Sequence, residues 1–210
     1  MKTAPMFLMI FLTLTAIFSA CGKKAMTRKY YVLEAASVQD RRIPRFTKTL
    51  PFHVEVRDFH VTRAFDQTRI AVRSASNELD YYFYHHWAVR PPVAIADLVH
   101  QVLDRTRLFR RLTREYSITC DYLVMGQILS LERVDRGEQT LARISGVLEL
   151  LESKSNNTLM RYAFDQSVPM TKDRSMNRFA ALISELLFQE TEAFARKLAD
   201  YFHVEEVHVP

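Results

Sequence analysis

Apolar and polar residues alternate along several stretches of the chain, and each such stretch predicts a strand. The period of two is clearest at 52–56, where Phe52, Val54 and Val56 alternate with polar neighbours, as expected for a half-buried strand. Strands are predicted in this way at 30–33, 52–56, 69–73, 79–87, 117–133, 141–151 and 158–168. Turn-rich segments separate the last three, which are therefore expected to form an antiparallel meander.

Two longer segments have the 3.6-residue periodicity of a helix. Apolar residues recur at spacings of three and four between Pro91 and Phe109, and the pair Pro91-Pro92 is typical of a helix start. A second stripe of the same kind runs from Ser175 to Phe202. The order of strands, helix, meander and helix predicts a single α+β domain, in which two helices pack on one face of a mostly antiparallel sheet.

The first twenty residues have the layout of a signal peptide. A basic start precedes 13 apolar residues at 6–18, and two small residues then lead to Cys21. A membrane-spanning helix needs roughly 20 apolar residues. Residues 1–20 are therefore expected to be removed after export.

The small residues before Cys21 resemble a bacterial lipobox, which makes Cys21 the predicted lipid-attachment residue of a lipoprotein. Phe18 stands where a lipobox usually has an aliphatic residue, so cleavage by the ordinary secretory peptidase, which leaves Cys21 free, is the alternative. Gly22 replaces the Asp that would retain a lipoprotein in the inner membrane, and this favours the outer membrane, facing the periplasm. A tether at 21–29 and a domain at 30–210 complete the predicted organisation.

The distribution of charge argues against a nucleic-acid partner. The chain has 29 Lys and Arg residues against 24 Asp and Glu residues, and its formal net charge is +5. Residues 1–29 contain five of the basic residues and none of the acidic ones, so residues 30–210 are formally neutral. Binding to a phosphate backbone needs a basic face on the domain itself. No nucleic-acid partner is therefore expected.

No motif in the sequence indicates a catalytic, metal or cofactor site. Cys120 is predicted on the apolar side of a strand with Tyr122 and Val124, where a thiol is usually a small core side chain. His85 and His86 are neighbours in a predicted strand, so their side chains point to opposite faces and do not suit one metal ion. The sequence has no Gly-rich phosphate loop and none of the short motifs of metalloproteases or hydrolases. An enzyme, a metal and a cofactor are all unexpected.

The predicted strand at 79–87 carries aromatic residues on both faces. Strict alternation places Leu79, Tyr81, Phe83 and Trp87 on one face, which we expect to be core, and Tyr82, Tyr84 and His86 on the other. The second face is a candidate surface for a partner or a lipid, because amphipathic aromatic residues are enriched at interfaces. The alternative is that the helices simply cover both faces of this strand.

In order and spacing, these features resemble the ABC-type transport auxiliary lipoprotein family, which includes the lipoprotein of the paraquat-inducible system. The resemblance spans nearly the whole mature chain. It rests on Cys21 and on the motifs Tyr31-Val32-Leu33, Val54-Glu55-Val56, Ile70-Ala71-Val72-Arg73 and His86-Trp87-Ala88-Val89-Arg90-Pro91. The chain departs from the family pattern at His86, where Arg often precedes the Trp, and at Pro92, where Leu often follows the Pro.

The resemblance implies a non-enzymatic lipoprotein that works with an MCE-domain periplasmic protein and an ABC transporter or a related membrane component. Such a protein would dock a periplasmic lipid conduit at the outer membrane, and a homo-oligomeric ring is one arrangement that it implies. The alternative function is a carrier lipoprotein that itself encloses a lipid or another apolar ligand. The aromatic side chains at 81–87 separate the two functions: an interior cavity favours the carrier, and an exposed surface favours docking.

Overall fold

One mixed sheet of nine strands and two helices make up the described part of the chain. The computed structural model describes residues 27–34, 43–114 and 119–207. The strands are β1 (Lys29–Tyr31), β2 (Leu50–Val56), β3 (His60–Val61), β4 (Arg69–Ala75), β5 (Glu78–Trp87), β6 (Phe109–Thr113), β7 (Tyr122–Arg136), β8 (Gln139–Glu152) and β9 (Thr158–Pro169). The helices are α1 (Pro91–Thr106) and α2 (Met176–Tyr201).

Strand β7 is the centre of the sheet. Along one edge it pairs with β8, which in turn pairs with β9, and both pairings are antiparallel. Along its other edge it pairs in parallel with three strands in succession: β2 at 122–124, β3 at 127–128 and β4 at 132–134. Strand β6 extends the sheet beyond β2, while β5 and then β1 extend it beyond β4. The two extensions therefore join different ends of β7.

The predicted α+β class is confirmed, and the sheet combines both kinds of pairing. The long pairings are antiparallel: β7 with β8 and β8 with β9 form the predicted meander, and β4 pairs with β5 in the same sense. The parallel pairings of β7 with β2, β3 and β4 are short. Parallel neighbours need a long crossover connection, and here the chain from β4 to β7 supplies it with β5, α1 and β6.

Helix α1 is shorter than the sequence pattern predicts. It begins at Pro91, where the missing amide hydrogen is unused in the first turn. The predicted helix extends to Phe109, but α1 ends at Thr106, because Arg107 adopts a left-handed conformation with φ 56°. Phe109 is instead the first residue of β6, a strand that the apolar periodicity does not reveal.

Helix α2 matches its predicted range to within one residue at each end. Ser175 caps the helix, and its hydroxyl oxygen accepts a hydrogen bond from the amide of Arg178 at 3.2 Å. The core lies between the two helices and one face of the sheet. Its largest fully buried side chains include Phe179, Phe188 and Phe194, all from α2, and full burial of such a side chain stabilises the fold by about 1.5–3 kcal/mol.

The start of β7 differs from the predicted strand at 117–133. The strand begins at Tyr122, and residues 115–118 lie outside the described part of the chain. Cys120 therefore precedes the strand, and its predicted place on an apolar strand face is wrong. The side chain is only partly buried, and its thiol lies 3.2 Å from the hydroxyl oxygen of Ser153.

Candidate functional site

Strand β1 brings the start of the described chain beside the aromatic strand β5. The two strands run parallel, with Lys29 opposite His85 and Tyr31 opposite Trp87. The amide of Ala88 donates a hydrogen bond to the carbonyl oxygen of Tyr31 at 2.7 Å and continues this pairing. Because β1 is the outermost strand on this side of the sheet, the segment that leads back to the predicted tether leaves the domain next to β5.

Strand β5 contains a large bulge, which interrupts the regular alternation of its side chains between the two faces of the sheet. Of the β4 residues 69–71, the first pairs with His86 and the last with Tyr81. One residue of β4 therefore lies opposite four residues of β5, at 82–85. Within the bulge, the ring nitrogen Nε2 of His86 lies 3.0 Å from the carbonyl oxygen of Phe83. Bulges redirect the side chains around them. The side chains of β5 therefore do not alternate between the two faces of the sheet at this point.

The bulge makes part of the predicted face assignment wrong. Phe83, predicted to be core, is 64% exposed, whereas His86, predicted on the open face, is only 9% exposed. Tyr82 packs against the core, with the guanidinium carbon of Arg133 6.0 Å from its ring centre. Tyr84 is half-buried beside Phe83, with 4.8 Å between the ring centres. Tyr82, Tyr84 and His86 thus share no exposed face, and their role in partner binding stays a prediction.

The aromatic side chains that face solvent here are Tyr30 and Phe83, which the sequence pattern does not single out. Tyr30 is 61% exposed, and its ring centre lies 5.7 Å from that of His86. Only the pairing of β1 with β5 brings Tyr30 to the strand that carries Phe83, and no local sequence signal indicates that pairing. Of the aromatic residues at 81–87, only Phe83 is largely exposed, whereas Tyr81 and Tyr82 pack against the core and Trp87 is buried.

Beneath this surface, His85 is held by two tyrosine residues. The hydroxyl oxygen of Tyr31 lies 2.8 Å from Nδ1 of His85, and the ring of Tyr82 meets the imidazole edge-on, with 5.4 Å between centres. Burial lowers the pKa of His85 below its ordinary value, and the positive charges of Lys29 and Arg133 lower the pKa further. The folded protein therefore favours the neutral imidazole at this position.

Acidification is expected to loosen the attachment of β1 to β5. Because folding lowers the pKa of His85, the unfolded chain binds more protons once the pH falls below about 6.5, and the stability contributed by the neutral imidazole is lost through that range. Hydrogen exchange, corrected for intrinsic rates, should show weaker protection of β1 amides at about pH 5.5 than at about pH 7.5. His85→Gln should remove this difference, and an unchanged difference would assign it to another group.

A ladder of charged side chains crosses the sheet. Its members occupy positions that alternate along the strands with core residues. Glu132 of β7 has no solvent exposure. Its carboxylate lies 2.9 Å from the guanidinium of Arg73 of β4 and 3.7 Å from that of Arg143 of β8. Arg143 also donates two hydrogen bonds to Asp165 of β9. Two positive and two negative charges alternate, so the ladder is neutral and ties four strands together.

Two further properties concern only the part of the chain that the structure describes. Within residues 27–34, 43–114 and 119–207, no group of three or more His, Cys, Asp and Glu side chains could hold a metal ion. In the same residues, neither helix is long and apolar enough to cross a membrane. Cys21, the predicted lipid-attachment residue, lies outside the described residues together with the predicted signal peptide.

Comparison with known proteins identifies the family. The family model of the ABC-type transport auxiliary lipoprotein component matches residues 31–195. The chain therefore belongs to the ABC-type transport auxiliary lipoprotein family, as the sequence motifs predict. It is an auxiliary lipoprotein of ABC-type transport and a protein of the cell envelope.

Two crystal structures share the fold. Protein XCC0632 from Xanthomonas campestris is 19% identical and superposes with a TM-score of 0.70, covering 83% of this chain and 97% of that chain. The structure of an uncharacterized protein is 14% identical, with a TM-score of 0.62, and covers 82% of this chain and 99% of that chain. At such identities the likeness concerns the fold alone. No curated protein sequence matches the chain significantly.

Proposed function

We propose that the protein is a non-enzymatic outer-membrane lipoprotein that serves an MCE/ABC-type lipid transport system linking the inner and outer membranes. The observation that carries this proposal is the family match over residues 31–195, which begins shortly after the predicted acylation site at Cys21. A solvent-facing aromatic surface beside the N-terminal strand supports a role in binding rather than in catalysis.

The proposed anchor is Cys21, acylated on its thiol and on its new amino group after residues 1–20 are removed. Burial of acyl chains contributes about 0.8 kcal/mol per CH₂ group, so three chains hold the protein at the membrane effectively permanently. Gly22 favours the outer membrane, facing the periplasm. Because β1 lies at the edge of the sheet, the tether can approach the membrane without crossing the domain.

Cys21→Ser is expected to abolish membrane attachment, because the variant has no thiol to acylate. Density-gradient separation of inner and outer membranes measures the distribution, and intact-mass analysis of the parent should show the loss of residues 1–20 and a lipid adduct. Cys120→Ser is the matched control and should remain in the outer-membrane fraction. Recovery of the parent protein with a free Cys21 thiol would contradict the anchor.

The proposed partner is an MCE-domain periplasmic protein whose conduit the lipoprotein docks at the outer membrane, with a homo-oligomeric ring as the docking form. Affinity purification of the tagged protein from detergent-solubilised envelopes should recover an MCE-domain protein together with its membrane component. Purification of the lipoprotein without any MCE-domain protein would contradict the proposal.

The same purification tests the predicted partner surface of Tyr82, Tyr84 and His86. Tyr84 is the informative member, since Tyr82 packs against the core and His86 is buried. If Tyr84 is an interface anchor, Tyr84→Ser should weaken binding by roughly 2 kcal/mol, and recovery of the partner should fall accordingly. Tyr201→Ser, at the last residue of α2, is the control. Equal recovery with both variants would place the partner surface elsewhere.

A further inference from the structure

The large apolar side chains that remain exposed are concentrated at one place in the domain. Seven occur in the described part of the chain, and four of them lie on β1 and β5 or within two residues after these strands: Tyr30, Val32, Phe83 and Val89. Single exposed apolar residues are normal on a soluble domain, but a group of them marks an interaction site. We call these four residues the apolar patch.

The pairing of β1 with β5 brings the residues of the apolar patch to the same edge of the sheet. The ring of Tyr30 lies 5.7 Å from the ring of His86, and Nε2 of His86 lies 3.0 Å from the carbonyl oxygen of Phe83. The last hydrogen bond between the two segments joins Tyr31 to Ala88. Val32 directly follows Tyr31, and Val89 directly follows Ala88. The apolar patch thus lies on two neighbouring strands at the outer edge of the sheet.

The apolar patch lies close along the chain to the proposed anchor. Eight peptide units separate Cys21 from Lys29, and in any conformation they span at most about 29 Å. Acylation of Cys21 therefore keeps β1 within that distance of the bilayer. Because β1 carries Tyr30 and pairs with β5, the strand that carries Phe83 lies next to this tethered strand.

Basic residues flank the apolar patch. Arg28 and Lys29 are exposed and directly precede Tyr30. Lys23 and Lys24 lie in the predicted tether, and residues 21–33 contain no Asp or Glu. Basic residues next to a membrane are attracted to anionic headgroups, and amphipathic aromatic residues settle at the interface between water and lipid. This combination matches the surface of a bilayer that contains anionic phospholipid.

We propose that the apolar patch contacts the bilayer that carries the Cys21 anchor, with Tyr30 and Phe83 placed among the lipid headgroups. The proposal rests on the acylation of Cys21 set out under the proposed function. The contact orients the domain: β1 and β5 face the membrane, and β6 and the end of α2 point away from it, toward the periplasm. A protein partner at the same patch is the competing occupant, and neither the short tether nor the basic flank requires one.

Lipid quenching of tryptophan fluorescence tests the contact on the mature, lipidated protein. The vesicles contain phosphatidylethanolamine and phosphatidylglycerol, with or without brominated acyl chains. Phe83→Trp reports from the apolar patch, and Tyr201→Trp reports from the other end of the domain. Trp87 packs on Phe179 near the start of α2, and the helix from there to Tyr201 extends about 33 Å. The emission of Trp87, the single tryptophan of the chain, is measured in the parent and subtracted.

Brominated lipid is expected to quench Phe83→Trp at least about threefold more than Tyr201→Trp, because only the first residue reaches the interface. Omission of phosphatidylglycerol should reduce the difference, since the basic flank then loses its anionic partner. Equal quenching of both variants, in protein that floats with the vesicles, overturns the proposal and leaves the anchor intact. Failure of the parent to float overturns the anchor, and the proposal falls with it. Loss of quenching on addition of an MCE-domain partner would assign the patch to that protein instead.

Discussion

Phe179→Ala is expected to lower the free energy of unfolding by about 3–5 kcal/mol, the range for truncation of a fully buried phenylalanine. Phe179 lies in the first turn of α2 and has no solvent exposure. Its ring centre lies 5.9 Å from that of Trp87, the last residue of β5. Truncation leaves a cavity where the long helix meets the strand that carries the bulge. Since natural domains are stable by about 5–15 kcal/mol, the variant should keep little stability.

Urea unfolding followed by circular dichroism measures this loss. Phe83→Ala is the matched control, because it removes the same side chain from a position that is 64% exposed. Substitutions at exposed positions usually change stability by no more than about 0.5 kcal/mol. Similar losses in the two variants would show that Phe83 is packed as Phe179 is, and would contradict the bulge in β5.

The helices and the meander could be predicted because their signals are local. The apolar stripe of α2 and its cap at Ser175 lie within one continuous segment, and the predicted range of 175–202 differs from Met176–Tyr201 by one residue at each end. The strands β7, β8 and β9 follow one another along the chain, and short turns join them. Neighbours in sequence are neighbours in space here, so periodicity suffices.

The bulge in β5 could not be predicted, because it depends on the pairing with β4. Regular antiparallel pairing from Arg69 opposite His86 would place residue 84 opposite Ala71, but Tyr81 occupies that position. The bulge inserts three extra residues into β5. Because three is an odd number, the side chains beyond the bulge point to the face opposite to the one that strict alternation predicts. Tyr81 and His86 therefore share a face, whereas strict alternation separates them. The inversion moves the buried His86 to the face of Tyr81, while the exposed Phe83 lies within the bulge, where no regular alternation applies.

The place of the aromatic surface at the sheet edge likewise depends on contacts between distant segments. Tyr30 belongs to a strand of three residues, and only its pairing with β5 brings it to the strand that carries Phe83. The sequence shows that 79–87 is rich in aromatic residues, but it does not show which of them solvent reaches. The anchor signal at Cys21 is local, and its maximum distance from β1 follows from chain length alone. The proposed orientation of the domain toward the membrane depends both on the local anchor signal and on the pairing of distant segments.

Gly126→Ala is expected to destabilise the protein by about 3 kcal/mol or more, at the upper end of the range for overpacked sites. Gly126 lies in β7 opposite Leu148 of β8. A Cβ atom at this position would collide with the carbonyl oxygen of Val147 and lie 2.8 Å from Cε1 of Phe59. The oxygen belongs to the backbone of the neighbouring strand, so β7 and β8 would have to separate at the centre of the sheet.

Gly137→Ala is the matched control for Gly126→Ala, because both glycines lie in the hairpin of β7 and β8. Gly137 is in the turn, where φ is 56° and an added Cβ meets nothing within 4 Å. Alanine should keep this left-handed conformation at a cost of about 1–2 kcal/mol. Urea midpoints should therefore decrease from the parent to Gly137→Ala and further to Gly126→Ala, and only Gly126→Ala should lose amide protection in the middle of β7 and β8. A Gly126→Ala protein as stable as the parent would show that the backbones of the two strands do not approach closely at this position.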